Sequence, residues 1–287
     1  MNISTNTNII HDIAETAFEH TLFDAIEAAS KITLPAFRSG LSVENKLEKG
    51  FDPVTRADKE AEKAIRKVIE DAFPEHMIIG EEHATKQTSS PFSWIIDPID
   101  GTRAFITGVP VWGTLIGIAY EEKTFAGVMA QPFTSEIFMG LGGKSTYYRL
   151  GSGPKPLSTS PIRNLDEARL MTTTPALFEG EQLQAYMNLE NRVRLARYGC
   201  DCYAYCLLAA GEIDLVVEAG LKIYDIGPLI PIIENAGGIV STFDGSPADK
   251  GGDIIAAATP QLHEKALEFM TKNKSGQSGT KPGSARL

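Results

Sequence analysis

Residues 58–73, DKEAEKAIRKVIEDAF, carry the clearest periodicity in the chain. Ala61, Ile65, Val68, Ile69, Ala72 and Phe73 fall on one face at helical spacing and the charges on the other, which predicts an amphipathic helix. Thr55 and Asp58 stand where a capping box would start it, and Pro74 stops it. Helical spacing also runs through residues 22–38, LFDAIEAASKITLPAFR, with Pro35 straining the C-terminal end. Residues 1–20 are polar and weakly periodic, which predicts a loose arm or a first helical turn.

Beyond Pro74 the period changes. MIIG (77–80), WIID (94–97), GTLIGIAY (113–120), FAGVMAQ (125–131) and EIFMGL (136–141) are short, β-branched or aromatic runs between turn residues, and predict strands. The run from 113 to 141 reads as an antiparallel meander. GSGPKPLSTSPIRN (151–164) marks a boundary between a first half, about 22–160, and a second, 165–271, of one domain. In the second half, strands are expected at 169–174, 193–199, 213–219 and 253–259. Helices are expected at 201–211, at 225–238 despite its prolines, and at 260–271. The tail 272–287 is polar enough to predict disorder. No repeat is visible. The sum is an α+β chain with sheets covered by helices.

Composition narrows the function classes. The 287 residues are 43% hydrophobic and 22% charged, ordinary for a soluble globular protein, and the net charge of -10 argues against a nucleic-acid or anionic-membrane binder. A small phosphorylated substrate stays compatible, because bound metal ions reverse the local field. No apolar run reaches the roughly 18–20 residues of a membrane span, and the N-terminus lacks a secretory pattern. Cys200, Cys202 and Cys206 form a C-x-C-x3-C cluster without a fourth ligand, in a stretch that reads as an apolar helix. Buried structural thiols in a reducing, cytoplasmic compartment are expected.

The chemistry concentrates in residues 80–102, GEEHATKQTSSPFSWIIDPIDGT. Asp97 sits where the apolar strand should end, Pro98 forces an extended exit, and Asp100 follows three positions on, so a turn can aim both carboxylates into one pocket. The Ile99 carbonyl between them is a further oxygen ligand. Gly101 and Thr102 lead into a segment whose amides, if helical, would face a bound anion. Oxygen ligands without His or Cys favour Mg²⁺, Mn²⁺ or Ca²⁺ over zinc, and shared carboxylates suit two-metal phosphoryl hydrolysis. Thr102 could orient the attacking water and Glu81 take its proton. Taken alone, DPIDGT is also ordinary turn chemistry, and Glu81–Glu82 an ordinary solvated pair.

GEE (80–82), WIIDPIDGT (94–102) and YDIGPLIPIIENAGG (224–238), with DPVTRAD (52–58) upstream, resemble in order the signatures of the inositol monophosphatase-like, metal-dependent phosphatase superfamily, over about residues 22–271. The resemblance implies a layered α-β-α-β-α sandwich of the inositol monophosphatase / fructose-1,6-bisphosphatase type, a homodimer, and two or three Mg²⁺ per site, with Mn²⁺ an alternative. It implies Glu81, Asp97 and the Ile99 carbonyl at the first ion. Asp97, Asp100 and Asp225 would hold the second, and Glu81 with Glu82 a weaker third. Asp52 and Thr102 would help activate water, Gly101 and Thr102 would hold phosphate through their amides, and Lys46 would lie near the metals, though it reads equally well as a surface lysine. Asp225 by itself also reads as a helix N-cap.

Thr102-Arg103-Ala104-Phe105, Asp201 in GCDCYAY and Tyr224 in VEAGLKIYD are similar to the histidinol-phosphate phosphatase branch rather than the inositol branch. That implies a small cationic phosphate ester as substrate, with Arg103, Asp201 and Glu218 on the substrate side. Asp201 could instead simply cap the helix that follows, and Tyr203 or Tyr205 could either meet an imidazole or pack in the core. A broad-specificity inositol monophosphatase, a 3′-phosphoadenosine phosphatase and a non-catalytic metal-binding relative are the alternatives.

Overall fold

The computed structural model describes residues 3–40, 43–45 and 53–271. Lys46, Asp52 and the tail 272–287, on which expectations were placed, lie outside the described residues. In chain order the elements are α1 (Ile3–Ala36), β1 (Val43–Asn45), β2 (Pro53–Thr55), α2 (Arg56–Ala72), β3 (Met77–Gly80), β4 (Phe92–Asp100) and α3 (Thr102–Thr107). Then come β5 (Gly113–Tyr120), β6 (Lys123–Gln131), β7 (Glu136–Leu141), β8 (Lys144–Arg149), β9 (Ser152–Pro156) and β10 (Arg169–Thr172). The chain continues with α4 (Gly180–Glu190), β11 (Leu195–Tyr198), α5 (Asp201–Ala209), β12 (Leu215–Leu221), α6 (Ile223–Ile226), α7 (Leu229–Glu234), β13 (Ile239–Thr242), β14 (Gly252–Ala257) and α8 (Pro260–Thr271).

These elements stack in five layers. The outermost is α1 against α2, burying Phe18, Leu22, Ile26, Ile65 and Ile69 on a seven-stranded sheet of order β3-β4-β5-β6-β7-β8-β9. The other face of that sheet and one face of a five-stranded sheet, order β11-β10-β12-β14-β13, enclose α5 and α7 in a shared core that includes Leu115, Met129, Cys206, Ile232 and Ile254. On the far side, α4 and α8 cover the second sheet through Tyr186, Leu189, Leu262 and Ala266. The fold is α+β in the expected α-β-α-β-α order, because each sheet is apolar on both faces and needs a helical layer on each. Among the described residues no helix is long and apolar enough to cross a membrane.

Three local expectations are corrected. The N-terminal stretch is not a loose arm, since α1 begins at Ile3. Phe18 explains the helix's attachment: it is buried against Phe73, Phe92, Trp94 and Phe125. The charges of α2 are not all on its outer face, because Asp58 and Glu62 are buried at 1% and 0% exposure; Asp58 closes the anticipated capping box, accepting the Thr55 amide at 2.9 Å. The helix expected at 225–238 is two short ones, α6 and α7, broken at Pro228.

That break seats the pair in a groove. Gly117, Gly127 and Gly140 lie directly opposite one another on β5, β6 and β7. A Cβ on Gly127 would lie 1.9 Å from the Pro228 carbonyl oxygen, and one on Gly140 would lie 2.4 Å from the Pro231 carbonyl carbon. Both obstacles are backbone, which cannot swing aside. Gly127→Ala is therefore expected to cost about 1–3 kcal/mol in urea unfolding. Gly153→Ala, where nothing lies within 4 Å, serves as the neutral control.

Candidate active site

β4 brings the first two carboxylates in. In a regular strand Asp97 and Asp100, three residues apart, would point to opposite faces. Here the ladder slips between them: Asp97 opposes Leu115 and Asp100 opposes Gly113, so three steps on β4 match two on β5. The extra residue makes a β-bulge at Pro98–Ile99, where proline has no ladder donor to lose. The Ile99 side chain is anchored among Phe37, Ala57, Phe105 and Trp112. The Thr114 hydroxyl donates to the Pro98 carbonyl at 2.8 Å, the Ile99 amide to Asp97 Oδ1 at 3.0 Å, and the Thr102 hydroxyl to the Ile99 carbonyl at 3.1 Å. The strand therefore does not end at Asp97 as expected. It runs on to Asp100, and a bulge rather than an exit turn aims the two acids together.

Asp225 joins them from α6. One oxygen from each of Asp97, Asp100 and Asp225 lies within 4.8 Å of the others. Asp225 is the fourth residue of its cap motif rather than the N-cap of its alternative reading: its Oδ2 accepts the Lys222 amide at 2.6 Å. Asp100 in turn caps α5, accepting the Cys202 amide at 2.7 Å. Asp201 makes no side-chain cap bond there; it is the first residue of α5, with its backbone in the left-handed region at φ 43°. Holding a non-glycine residue in that region costs on the order of 1 kcal/mol or more.

Burial, then the facing Glu81, Asp100 and Asp225, push the Asp97 carboxyl well above the usual range. Burial, then Asp201 and Asp225, do the same to Asp100 against the opposing Cys202 bond. Such a cluster favours either protons or a cation. Glu81 extends β3, its amide donating to the Ile96 carbonyl at 3.1 Å. Its carboxyl lies against Asp97 but outside the group of three. Glu82 presents its amide, not a fourth clustered carboxylate, to Glu62.

A cleft of about 280 Å³ joins Asp100 and Asp225 to Gly101, Thr102, Arg103, Asp201 and Glu218. Gly101 is required by its φ of 79° and by Asp201, whose Cβ would lie 3.1 Å from an added Cβ. Glu218 is buried and accepts the Thr173 amide and hydroxyl, both at 2.8 Å. Burial pushes its carboxyl up to about 8. Burial also raises Asp201, while Thr173 and Arg103 pull it back. Tyr203 turns away to donate to Glu136 at 2.8 Å, whereas the buried Tyr205 lines the cleft. Cys202 and Cys206 are buried and all three cysteines are free thiols. A wider cleft of about 990 Å³, between the β5–β6 turn and the β13–β14 loop, contains none of these residues.

Sequence reasoning missed Glu62 and Arg66, which hold the Glu81 loop from α2. The available signal was a charged pair four residues apart flanking Ile65, on the side of the helix that the apolar spacing marks as buried.

A five-layer α+β fold that presents clustered carboxylates at a strand bulge beside a polar cleft is that of a metal-dependent phosphatase class. The chain belongs to the inositol monophosphatase family, whose model matches residues 15–275. It is 39% identical over 255 residues to the bifunctional phosphatase IMPL2, chloroplastic, of Arabidopsis thaliana, covering 85% of this chain and 72% of that one. It is 31% identical over 261 residues to the histidinol-phosphatase of Streptomyces coelicolor, covering 88% and 95%. Among solved structures, an inositol monophosphatase from Zymomonas mobilis superposes with a TM-score of 0.77 at 36% identity, over 88% of this chain and 96% of that one.

Proposed function

We propose that the chain is a Mg²⁺-dependent phosphomonoester hydrolase that converts L-histidinol phosphate and water to L-histidinol and phosphate. The residues suit a hard divalent cation. The donors are all oxygens, and two of the three clustered carboxyls are held well above their ordinary range by burial and by neighbouring carboxylates, a condition that a cation relieves. Asp97, Asp100, Asp225, Glu81 and the Ile99 carbonyl would hold it. Such ions polarise a phosphoryl oxygen and make water more acidic.

The protein's own groups do the rest. The first amides of α3, after Gly101, have no helical partners and would bind phosphate oxygens. Thr102 keeps the Ile99 carbonyl in place. Glu81 takes the water proton as its oxygen bonds to phosphorus and the ester P–O bond breaks; the departing alkoxide is protonated from solvent.

The observation that carries the substrate is Asp201. It lines the cleft with Glu218, Asp100 rather than Asp201 takes the capping amide of α5, and its left-handed backbone holds its carboxylate beside Gly101, Thr173 and Arg103. Asp201, and Glu218 once a nearby cation draws off the proton that burial makes it hold, suit an ammonium and an imidazolium on the substrate. Relatives named histidinol-phosphatase support the same reading. The test is kcat/KM with Mg²⁺ for histidinol phosphate beside inositol 1-phosphate. A preference of about tenfold or more for histidinol phosphate is expected, since one charged contact contributes ~1.4 kcal/mol or more. A preference for inositol 1-phosphate would discard the role of Asp201 and Glu218 and keep the cation centre.

A further inference from the structure

We infer that Glu62 and Arg66 are positioning residues for Glu81, and that this buried ion pair sets how tightly the Asp97 side of the carboxylate cluster holds a divalent cation. The inference rests on the cation reading above. Glu62 is fully buried and uses both carboxylate oxygens: Oε1 accepts Arg66 Nε at 2.7 Å and Oε2 accepts the Glu82 amide at 2.6 Å. Arg66 Nη2 reaches past it to the His83 carbonyl at 3.2 Å. One ion pair thus grips the two residues after Glu81 through an amide and a carbonyl.

The remaining anchors agree. The Glu81 amide is tied to Ile96 of β4 at 3.1 Å, and the His83 ring donates to the Lys59 carbonyl of α2 at 2.9 Å. Just before the loop, a Cβ on Gly80 would overlap Glu62 Oε1 at 1.9 Å, so β3 ends in direct contact with the carboxylate. The Glu81 backbone is therefore fixed from both sides before its carboxyl meets Asp97.

An apolar residue at position 62 would strand the Glu82 amide. Arg66 keeps Glu62 neutralised in place, so Glu62 supports the cation site without competing for the ion. Groups that orient metal ligands in this way typically change affinity 10–100-fold when removed.

The experiment is Glu62→Gln in the full chain, with Mg²⁺ affinity read by titration calorimetry and by the Mg²⁺-induced rise in melting temperature. The dissociation constant is expected to rise about 10–100-fold. The kcat at saturating Mg²⁺ is expected to fall as well, by less than the loss of Mg²⁺ affinity, because the Glu81 that Glu62 positions also takes the water proton. Gly80→Ala is the second variant: it keeps both charges but displaces Glu62, and should move affinity the same way even if Glu62→Gln does not fold. A folded variant that binds Mg²⁺ as tightly as wild type overturns the positioning role. Wild-type protein that takes up no Mg²⁺ overturns the cation reading, and this inference with it.

Discussion

Asp97→Asn is expected to lower phosphate release by about 10³-fold or more while leaving the protein folded. The metal centre is asked for several kcal/mol of transition-state stabilisation, and each ~1.4 kcal/mol is a factor of ten. Asp97 sits between Glu81 and the Asp100–Asp225 pair, so its loss removes charge from every part of the cluster. The same substitution has an opposite effect on the metal-free protein. Folded Asp97 and Asp100 hold their protons to higher pH than the unfolded chain, whose carboxyls titrate near about 4. The folded state therefore binds more protons, and the stability of the metal-free protein falls as pH rises from about 4 through the raised values.

Thermal melts follow from this sign. Metal-free wild type should melt lower at pH 8 than at pH 5.5, and Mg²⁺ should restore the loss. Metal-free Asp97→Asn should melt at or above wild type at pH 8 and gain little from Mg²⁺. Full activity in the variant, or a wild-type melt that rises with pH in the absence of metal, would remove Asp97 from the centre.

Asp201→Ala should separate substrates rather than abolish catalysis. Truncating one partner of a desolvated charge pair costs about 2 kcal/mol or more, so kcat/KM for histidinol phosphate should fall by roughly 30-fold or more. Inositol 1-phosphate, which carries no cationic group for Asp201 to pair with, should change by less than about threefold. The variant should stay folded, because Asp100 rather than Asp201 caps α5. An equal loss on both substrates would reduce Asp201 to a support for Gly101, whose backbone it touches.

The elements that sequence periodicity located well are those whose burial is decided locally. The α2 helix at 58–73, the 113–141 meander, α5 and α8 all appear where apolar spacing and turn residues placed them. Elements such as α4, β13 and the β8–β9 hairpin carry weak spacing, because they are edge or covering pieces half-exposed on one side. Phe18 at the N-terminus was invisible for a related reason: its partners Phe73, Phe92 and Trp94 are distant in the chain.

By itself the sequence determined the family and the donor types at the candidate site. Two carboxylates around Pro98, an acidic pair at 81–82 and a fifth acid at 225, all oxygen donors, already carry the resemblance to this family and suit a hard cation. What only the tertiary structure decided is how those groups meet. The ladder slip opposite Leu115 and Gly113 reverses the facing of Asp100, since side-chain direction in a strand depends on a register set by the neighbouring strand. The glycine row on β5, β6 and β7 lets the backbone at Pro228 and Pro231, just after α6 and Asp225, lie close on the sheet. Asp100 makes the cap that local spacing allowed Asp201, and Glu62 with Arg66 steadies Glu81 from a helix whose charges seemed to belong to solvent. Each of these is a contact between segments far apart in the chain, and no local pattern of apolar and polar residues encodes it.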